Sequence, residues 1–197
     1  SNIPNQIWSE DSILIDSFDL DDYFNDYDND SSLAYSFSST NPINTTIDTA
    51  NEVGFSQPAN WNGIRYVVFT AYDGINSTNS NNVTLNVTPV NDAPTIDNLP
   101  ESFAIDEDTS LEFQVEASDI DGDDLTYGVN NTLATINASG FLTFTPELNF
   151  NGIVNLTVNA SDGQDHASEI AQVTVNPVND GPVISPISDI IFDEEAY

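Results

Sequence analysis

The fold is decided by residues 149–182, which read NFNGIVNLTVNASDGQDHASEIAQVTVNPVNDGP. In this stretch Val154, Leu156 and Val158 alternate with polar residues, which is typical of a strand with one buried face. A turn rich in Asp and Gly separates this run from a second alternating run that ends in VTVN. The pattern predicts a β-hairpin that covers one side of a hydrophobic core.

The motifs of this stretch occur twice in the chain, in the same order. NWNG at residues 60–63 precedes NFNG by 89 positions, and VNDAP at residues 90–94 precedes VNDGP by 88. Self-similarity of this kind indicates tandem structural modules. About seven short strands with alternating pattern fit into each copy of roughly ninety residues, as in an immunoglobulin-like fold. The sequence therefore predicts an all-β chain with two tandem Ig-like β-sandwiches.

The predicted module boundaries follow the repeated motifs. Residues 1–92 form the first module and residues 93–180 form the second. FDEE at residues 192–195 repeats the position of IDED at residues 105–108, so we expect residues 181–197 to hold a linker and the first strand of a third repeat. That strand either begins a truncated module or is donated to a neighbouring subunit by addition to an open sheet.

The charge of the chain excludes several classes of function. There are 33 acids against a single Lys or Arg, which gives a net charge of −32. Nucleic-acid binding needs basic side chains, and an acidic membrane surface would repel this chain. The chain has no Cys for disulfides or thiol catalysis, and we find no nucleophile motif, phosphate loop or His cluster. No apolar run approaches the length of about 18 residues that a membrane span needs. We expect a non-catalytic protein.

Acidic residues concentrate in the repeated motifs, at the predicted ends of the modules. The strand that ends near Ala117 runs into SDIDGDD at residues 118–124. Close carboxylates repel one another by about 1 kcal/mol per pair in water, and a calcium ion relieves this repulsion by taking oxygen ligands. An EF-hand does not fit, because Gly122 precedes Asp123 and no flanking helices are predicted. An acidic surface adapted to salt is the alternative explanation.

Four stretches carry a resemblance to a known family. They are VEASDIDGDDLTYGV at 115–129, SGFLTFTPELNFNG at 139–152, VNASDGQDHAS at 158–168 and VTVNPVNDGP at 173–182. Together they resemble the cadherin-like tandem repeats of large prokaryotic surface proteins and adhesins. The resemblance implies an extracellular, cell-surface location and a structural or adhesive role in a fibre or surface protein. It implies neighbouring modules, like subunits, surface glycans or envelope proteins as partners.

Calcium ions bind between consecutive modules in cadherins, and the resemblance implies Ca²⁺ ligands here. The cadherin triplet of Asp, Arg and Glu is replaced by QPANWNG at residues 57–63 and PELNFNG at residues 146–152, so we expect fewer ions per junction. The implied ligands fall into three groups: a first junction, a second junction and a junction before the first module. In that order they are Glu10, Asn91, Asp92, Asp119, Asp121 and Asp162; Glu107, Asn179 and Asp180; and Asp26, Asp28 and Asp73.

Nine Asn-x-Ser/Thr sequons are candidate sites for N-linked glycans. Their number exceeds the chance expectation, although a composition rich in Asn and Thr also produces sequons. Two pairs fall on the polar faces of predicted strands. The candidate residues are Asn29, Asn44, Asn76, Asn82, Asn86, Asn130, Asn137, Asn155 and Asn159.

Two other functions stay open at the level of sequence. Trp61 and Phe150 occupy the same repeat position between two Asn residues, where a ring could stack on a sugar in a carbohydrate-binding or enzyme-accessory module. Packing in the turn is the simpler explanation for both rings. The partial third repeat raises the alternative of a subunit in a strand-exchanged extracellular filament.

Overall fold

The computed structural model of the protein describes residues 2–27 and 32–184. The described residues form strands and turns, with one 3-10 helix among them at Leu20–Asp22. Three sequence predictions lie outside the described residues. They are the metal ligand Asp28, the sequon at Asn29 and the strand of the third repeat beyond residue 184.

The described residues divide into two compact units. Unit 1 contains the chain up to Ala93 together with the loop Asp119–Asp124. Unit 2 contains Pro94–Ser118 and the chain from Leu125 onward. The loop Asp119–Asp124 therefore belongs by its contacts to unit 1, although the sequence repeat assigns it to the second module.

Unit 1 forms a β-sandwich in which β2, β5 and β4 make one sheet and the remaining strands make the opposite layer. That layer has the strand orders β1-β9-β6 and β3-β7-β8. The strands are β1 (Gln6–Ser9), β2 (Leu14–Asp19), β3 (Ala34–Phe37), β4 (Asn44–Ile47), β5 (Glu52–Ser56), β6 (Gly63–Val67), β7 (Phe69–Tyr72), β8 (Ser77–Asn79) and β9 (Val83–Thr88).

Unit 2 has the same arrangement in a more continuous form. One sheet has the order β11-β18-β17-β14, the other has β12-β16-β15, and β10 pairs with β13. The strands are β10 (Thr95–Ile96), β11 (Ser102–Asp106), β12 (Leu111–Gln114), β13 (Ala117–Ser118), β14 (Thr126–Val129), β15 (Ala134–Ile136), β16 (Phe141–Phe144), β17 (Gly152–Ser161) and β18 (His166–Asn176).

The two units share one topology. In each, an early strand pairs in parallel with the last strand, with Gln6 opposite Leu85 in unit 1 and Ser102 opposite Gln172 in unit 2. All other strand pairs among the described residues are antiparallel. The prediction of tandem Ig-like β-sandwiches is confirmed.

The cores of the two units differ in composition. In unit 1 the rings of Trp8 and Phe55 stack with centroids 5.7 Å apart, and Phe18 meets Phe69 edge to face at 5.6 Å. Of the three alternating residues predicted to face a core, Leu156 and Val158 of unit 2 are buried and Val154 is half-buried. Unit 2 has a mainly aliphatic core of Leu111, Val115, Ala134, Leu142, Phe144, Leu156, Val158, Val173 and Val175.

Candidate metal site

A buried glutamate follows the first strand of unit 1. Glu10 is 2% exposed, and its backbone N–H donates to the carbonyl of Thr88 at 3.1 Å, which extends the pairing of β1 with β9. One carboxylate oxygen accepts from the backbone N–H of Val90 at 2.7 Å, and the other accepts from the side-chain amide of Asn62 at 3.1 Å. The carboxylate thus connects β1, the NWNG turn and the segment that leads out of β9.

Unit 2 repeats this group of hydrogen bonds. Glu107 is 5% exposed, and its carboxylate accepts from the backbone N–H of Val178 at 2.6 Å and from the side chain of Asn151 at 3.4 Å. Its own N–H donates to the carbonyl of Asn176 at 2.9 Å. The repeated Glu, Asn-Gly and Val-Asn-Asp motifs therefore fold into the same arrangement twice.

The NWNG and NFNG turns are closed by an aromatic ring that packs on a glycine. Gly63 and Gly152 have φ angles of 138° and 144°, which favour glycine. A Cβ added at these two positions would lie 3.4 Å from the rings of Trp61 and Phe150 respectively. The guanidinium of Arg65 lies over the Trp61 ring at 4.8 Å. These contacts support the packing interpretation of both rings.

The loop Asp119–Asp124 wraps around one carboxylate. Oδ1 of Asp119 accepts from the backbone N–H groups of Asp121 at 2.9 Å, Gly122 at 3.1 Å and Asp123 at 3.3 Å. Oδ2 of Asp119 is buried and has no hydrogen-bond partner among the described residues. A buried acceptor without a partner is costly, so either a water molecule or a cation would stabilise this oxygen.

Two further carboxylates lie close to that of Asp119. One oxygen atom from each of Asp119, Asp121 and Asp123 lies within 4.8 Å of the other two. Oδ2 of Asp121 accepts from the backbone N–H of Asp92 at 2.8 Å. The loop is thereby tied to the segment that follows β9.

Asp92 experiences the charge of its neighbours. Partial desolvation raises the pKa of its carboxyl above the ordinary value, and the charges of Asp11, Asp121, Glu10 and Asp119 raise it further. We use the term acidic cluster for these carboxylates together with that of Asp123. Its members are Glu10, Asp11, Asp92, Asp119, Asp121 and Asp123.

The chain offers no basic side chain to balance the acidic cluster. Its single basic residue among Lys and Arg is Arg65, which donates to the carbonyl oxygens of Asn41 at 2.9 Å and Ile64 at 2.8 Å. Carboxylate oxygens are the ligands that hard cations prefer, and His or Cys is absent from the cluster. The donor set therefore fits calcium better than a transition metal.

Two ligands predicted for the first junction are not members of the acidic cluster. Asn91 donates its side-chain amide to the carbonyl of Asp92 at 3.4 Å. Asp162 lies in unit 2, in the turn between β17 and β18, where its Oδ1 accepts from the N–H groups of Gln164 and Asp165, each at 2.6 Å. A role for both residues in metal binding stays a prediction.

The ligands proposed for the second junction are Glu107, Asn179 and Asp180. Asn179 and Asp180 are exposed, and the side chain of Asn179 donates to the carbonyl of Asp180 at 3.2 Å. No group of three close carboxylates occurs there in the described part of the chain. The second junction stays a prediction supported only by the buried glutamate.

Asp26 and Asp73, the described members of the third group, line a cavity of about 270 Å³ in unit 1. Oδ1 of Asp73 accepts from the N–H groups of Ile75 at 2.7 Å and Asn76 at 2.6 Å. The bond from Asn76, followed by that from Ile75, holds the pKa of Asp73 below its ordinary value.

Sequence reasoning missed two members of the acidic cluster, Asp11 and Asp123. Asp123 continues the alternate spacing of Asp119 and Asp121, and this spacing was a usable signal. Asp11 follows the buried Glu10, and the sequence gives no separate indication that its charge faces Asp92.

Most of the described sequons are accessible. Asn86 and Asn159 are half-buried, and Asn159 accepts from the hydroxyl of Ser168 at 2.7 Å. The exposed candidates are Asn44, Asn76, Asn82, Asn130, Asn137 and Asn155.

Residues 91–176 match the model of the bacterial Ig domain family. The chain carries Ig-like repeats. The matched range includes most of unit 2 and covers less than half of the chain. Among the described residues of these Ig-like repeats, no helix is long and apolar enough to span a bilayer. No curated protein sequence matches the chain.

Solved structures with similar folds come from proteins of several kinds. The insect immune protein hemolin has a TM-score of 0.43 at 13% identity, over 74% of this chain and 40% of hemolin. The titin domains Z1Z2, solved in complex with telethonin, have a TM-score of 0.39 at 10% identity, over 90% of this chain and 95% of that chain.

A catalytic protein also contains a similar region. The endo-fucoidan hydrolase MfFcnA4 from glycoside hydrolase family 107 has a TM-score of 0.37 at 20% identity, over 74% of this chain and 23% of the hydrolase. The Ig-like repeats span about a quarter of the length of that enzyme. All of these TM-scores are below 0.5, so the likenesses carry no argument about function.

Proposed function

We propose that this chain is a structural or adhesive segment of an extracellular repeat protein, and that calcium bound by the acidic cluster stiffens it. The tandem Ig-like repeats and the match to the bacterial Ig domain support the structural role. Calcium would hold the loop Asp119–Asp124 to Glu10 and Asp92. Because the loop connects β13 to β14, holding it would restrain the linker that follows β9.

One observation carries the proposal of a metal. Oδ2 of Asp119 is buried without a hydrogen-bond partner among the described residues, and carboxylate oxygens of Asp121 and Asp123 lie within 4.8 Å of an Asp119 oxygen. An acidic surface adapted to salt explains exposed acids but does not explain a buried oxygen that lacks a donor. A cation would satisfy that oxygen and reduce the mutual repulsion of the cluster.

The chemistry that calcium would supply is electrostatic. It takes oxygen ligands at about 2.3–2.6 Å and tolerates irregular geometry, and extracellular sites bind it at about 10⁻⁴ to 10⁻³ M. We infer that the chain is stiff outside the cell, where calcium is plentiful. We assign it no catalytic role. Neighbouring modules, like subunits, surface glycans or envelope proteins are the proposed partners, and the exposed sequons are proposed glycan sites.

Calorimetric titration of the chain with calcium tests the metal site. We expect saturable binding for the unmodified chain, and at least about a tenfold loss of affinity for Asp119→Asn and for Asp121→Asn, because each variant removes a charged ligand. Asp48→Asn is the matched control, since Oδ1 of Asp48 also accepts from backbone N–H groups, of Ala50 at 2.8 Å and Glu52 at 2.9 Å. Asp48 lies outside the acidic cluster, so its variant should bind calcium normally.

Small-angle scattering tests the mechanical part of the proposal. Calcium should narrow the distribution of interatomic distances for the unmodified chain, and chelator should broaden it. No heat of binding at 5 mM calcium, or equal losses in Asp119→Asn and Asp48→Asn, would contradict the metal site. Binding without any change in scattering would contradict the stiffening.

A further inference from the structure

The outer face of the β1-β9-β6 sheet in unit 1 is defined by strand register. Val83, Leu85 and Val87 of β9 point into the core and are at most 1% exposed, so the alternate residues of β9 point outward. Asn86 lies opposite Ile7 of β1 on one side and Ile64 of β6 on the other, and Thr84 lies opposite Tyr66. We call the set of Ile7, Ile64, Tyr66, Thr84, Asn86 and Thr88 the outer face.

The outer face contains no charged residue among these described positions. About one residue in six of the chain is an acid, and the neighbouring sheet continues the pattern. Thr70 of β7 lies opposite Ser36 of β3 and Asn79 of β8, and all three are neutral outward residues. The outward side of this layer is thus neutral in a chain with a net charge of −32.

The acids of unit 1 gather instead on the loops and the opposite sheet. Burial raises the pKa of Glu52 on β5, and the charges of Asp19, Asp16, Asp48 and Asp22 raise it further. These residues lie on or next to β2, β4 and β5. The distribution of charge between the two layers is therefore strongly uneven.

Unit 2 has the same uneven distribution of acids between its two layers, so both units share this property. Ile153 lies opposite Thr174, and Asn155 lies opposite Gln172, on the outward side of β17 and β18. Along the described register of β11, β18 and β17, the outward positions are neutral except for Asp106, which ends β11. Glu112 and Glu116 are exposed on the other side, on β12 and next to β13.

We propose that the outer face of unit 1 is a self-association surface that binds the outer face of unit 1 in a second copy of this chain. A partner with the same large negative charge is repelled by every surface that bears acids. A neutral polysaccharide would not require the removal of acids from its binding face, and a basic protein would bind better with acids present. The neutral face is needed for a partner that is itself strongly acidic.

The spacing of the two layers allows a second copy to dock on the outer face without strong repulsion from the acids of the opposite layer. The two layers of a β-sandwich are about 10 Å apart, and the Debye length is about 8 Å at physiological ionic strength. Acids on the β2-β5-β4 sheet are therefore largely screened from a copy that docks on the opposite side. At low salt the screening is lost, so association should weaken.

The area and composition indicate a weak interface. The strands of this layer are three to six residues long, and at a spacing of about 4.8 Å they give an outward surface of roughly 400 Å². Two such faces bury about 800 Å², which is below the range of stable specific interfaces, so a single contact is weak. The two flanking strands supply apolar surface, because Ile7 of β1 and Ile64 and Tyr66 of β6 are 66%, 50% and 56% exposed beside the polar residues of β9. Repetition of the contact along a longer assembly would strengthen it.

Sedimentation equilibrium of the unglycosylated chain tests this surface. The measurement uses 10 µM to 1 mM protein with chelator, so that its result is independent of calcium binding. We expect the average mass to rise with concentration, and to rise more at 500 mM than at 20 mM NaCl, because salt screens the repulsion between copies.

A matched pair of variants locates the surface. Asn86→Asp places a carboxylate at the centre of the outer face without a change in size, and should weaken association about tenfold, as like charges do at an interface. Asn44→Asp makes the same change at an exposed position of β4 on the opposite layer and should leave association unchanged. Equal effects of the two variants would overturn the proposal.

Two further outcomes would also overturn it. The first is a chain that stays monomeric at 1 mM in both salts. The second is a monomeric chain that is retarded by a neutral polysaccharide in affinity electrophoresis and loses this retardation on Tyr66→Ala, since the face would then bind glycan. Neither outcome would affect the proposed calcium site, which is tested by calorimetry.

Discussion

Unit 2 ends in one continuous hairpin, whereas unit 1 builds the equivalent hairpin from four shorter strands. The register of β17 with β18 runs without a break from Gly152 opposite Val175 to Ser161 opposite His166. In unit 1 the first arm of the hairpin is interrupted at Val68, between β6 and β7, and the second arm is interrupted between β8 and β9. The same topology is thus reached with and without a complete ladder of backbone hydrogen bonds.

Polar side chains replace the missing bonds in unit 1. The hydroxyl of Ser38 accepts from the N–H of Val68 at 2.9 Å, and that of Ser80 accepts from the N–H of Phe69 at 2.9 Å. Asn81 makes two bonds with Ile3, accepting from its N–H at 2.8 Å and donating to its carbonyl at 3.0 Å. Each interruption is compensated locally, as buried backbone groups require.

Comparison of the two units shows which structural features are the same in both and which differ. In both units the buried glutamate accepts the same two hydrogen bonds, one from the Asn-Gly turn and one from the Val of the Val-Asn-Asp segment. The cores and the hairpins differ. Buried polar groups need specific partners, while an apolar core needs only matched volume, and this explains why the sequence repeat is visible in the turns.

The largest expected effect concerns the two cores. Phe69→Ala in unit 1 should cost about 3–5 kcal/mol of unfolding free energy from lost burial, with about 0.5–1.5 kcal/mol more for each ring partner. Phe69 contacts the rings of Phe18 and Phe37 at centroid distances of 5.6 and 6.4 Å. Phe144 is equally buried but has no ring partner among the described residues, so Phe144→Ala should cost less.

Urea unfolding can follow the units separately. Trp8 and Trp61 are the two tryptophans of the chain and both lie in unit 1, so tryptophan fluorescence reports on that unit. Amide NMR signals of β17 report on unit 2. Equal costs for Phe69→Ala and Phe144→Ala would contradict a stabilising role for the aromatic contacts.

The second prediction concerns the group that both units share. Glu10→Gln and Glu107→Gln each replace one carboxylate oxygen with an NH₂ group. This group cannot accept the hydrogen bond that the oxygen accepted. We expect each variant to lose about 1–3 kcal/mol in its own unit, measured in chelator so that calcium does not contribute. If only one of the two variants lost stability, the repeated glutamate would have different structural roles in the two units.

The third prediction concerns the interrupted hairpin. Asn81→Ala removes both bonds to Ile3 and should cost unit 1 about 1–2 kcal/mol, with faster hydrogen exchange at the amide of Ile3. Glu169 holds the corresponding position in unit 2, where it is exposed on a continuous strand, so Glu169→Ala should change stability by less than about 0.5 kcal/mol. If hydrogen exchange at the amide of Ile3 were unchanged in Asn81→Ala, a stabilising role for these two hydrogen bonds would be contradicted.

Much of this arrangement could be predicted from the sequence, because it depends on local periodicity. Alternation predicted strands with one buried face. The resemblance implied Glu10 and Glu107 as calcium ligands, a role that stays a prediction, whereas the burial of both residues and their hydrogen bonds within each unit were not predicted. The interruption at Val68 could not be predicted, since the apolar run of residues 67–69 has the pattern of a continuous strand. The resemblance implied that Asp92 and Asp121 lie at one junction, whereas the assignment of their loop to unit 1 depends on tertiary placement, which local pattern does not show.

The smallest expected effect concerns the charge of Asp92. Its raised pKa means that, without calcium, the folded state disfavours the ionised carboxylate. The contribution of Asp92 to stability is therefore complete below its ordinary pKa of about 3.9 and is lost as the pH rises through the higher folded value. In chelator at pH 7, Asp92→Asn should make unit 1 more stable than the unmodified chain.

This gain should vanish below about pH 3.9, where Asp92 is protonated in both the folded and unfolded states. In saturating calcium the order should reverse, because the unmodified chain keeps a charged ligand and binding stabilises the folded state. Asp180 occupies the corresponding repeat position and is exposed, so Asp180→Asn should show neither effect in unit 1. If Asp92→Asn destabilised unit 1 in chelator at pH 7, the hydrogen bond from Asn60 at 3.0 Å would outweigh the repulsion from the cluster. The case for a cation at this site would then rest on the buried oxygen of Asp119 alone.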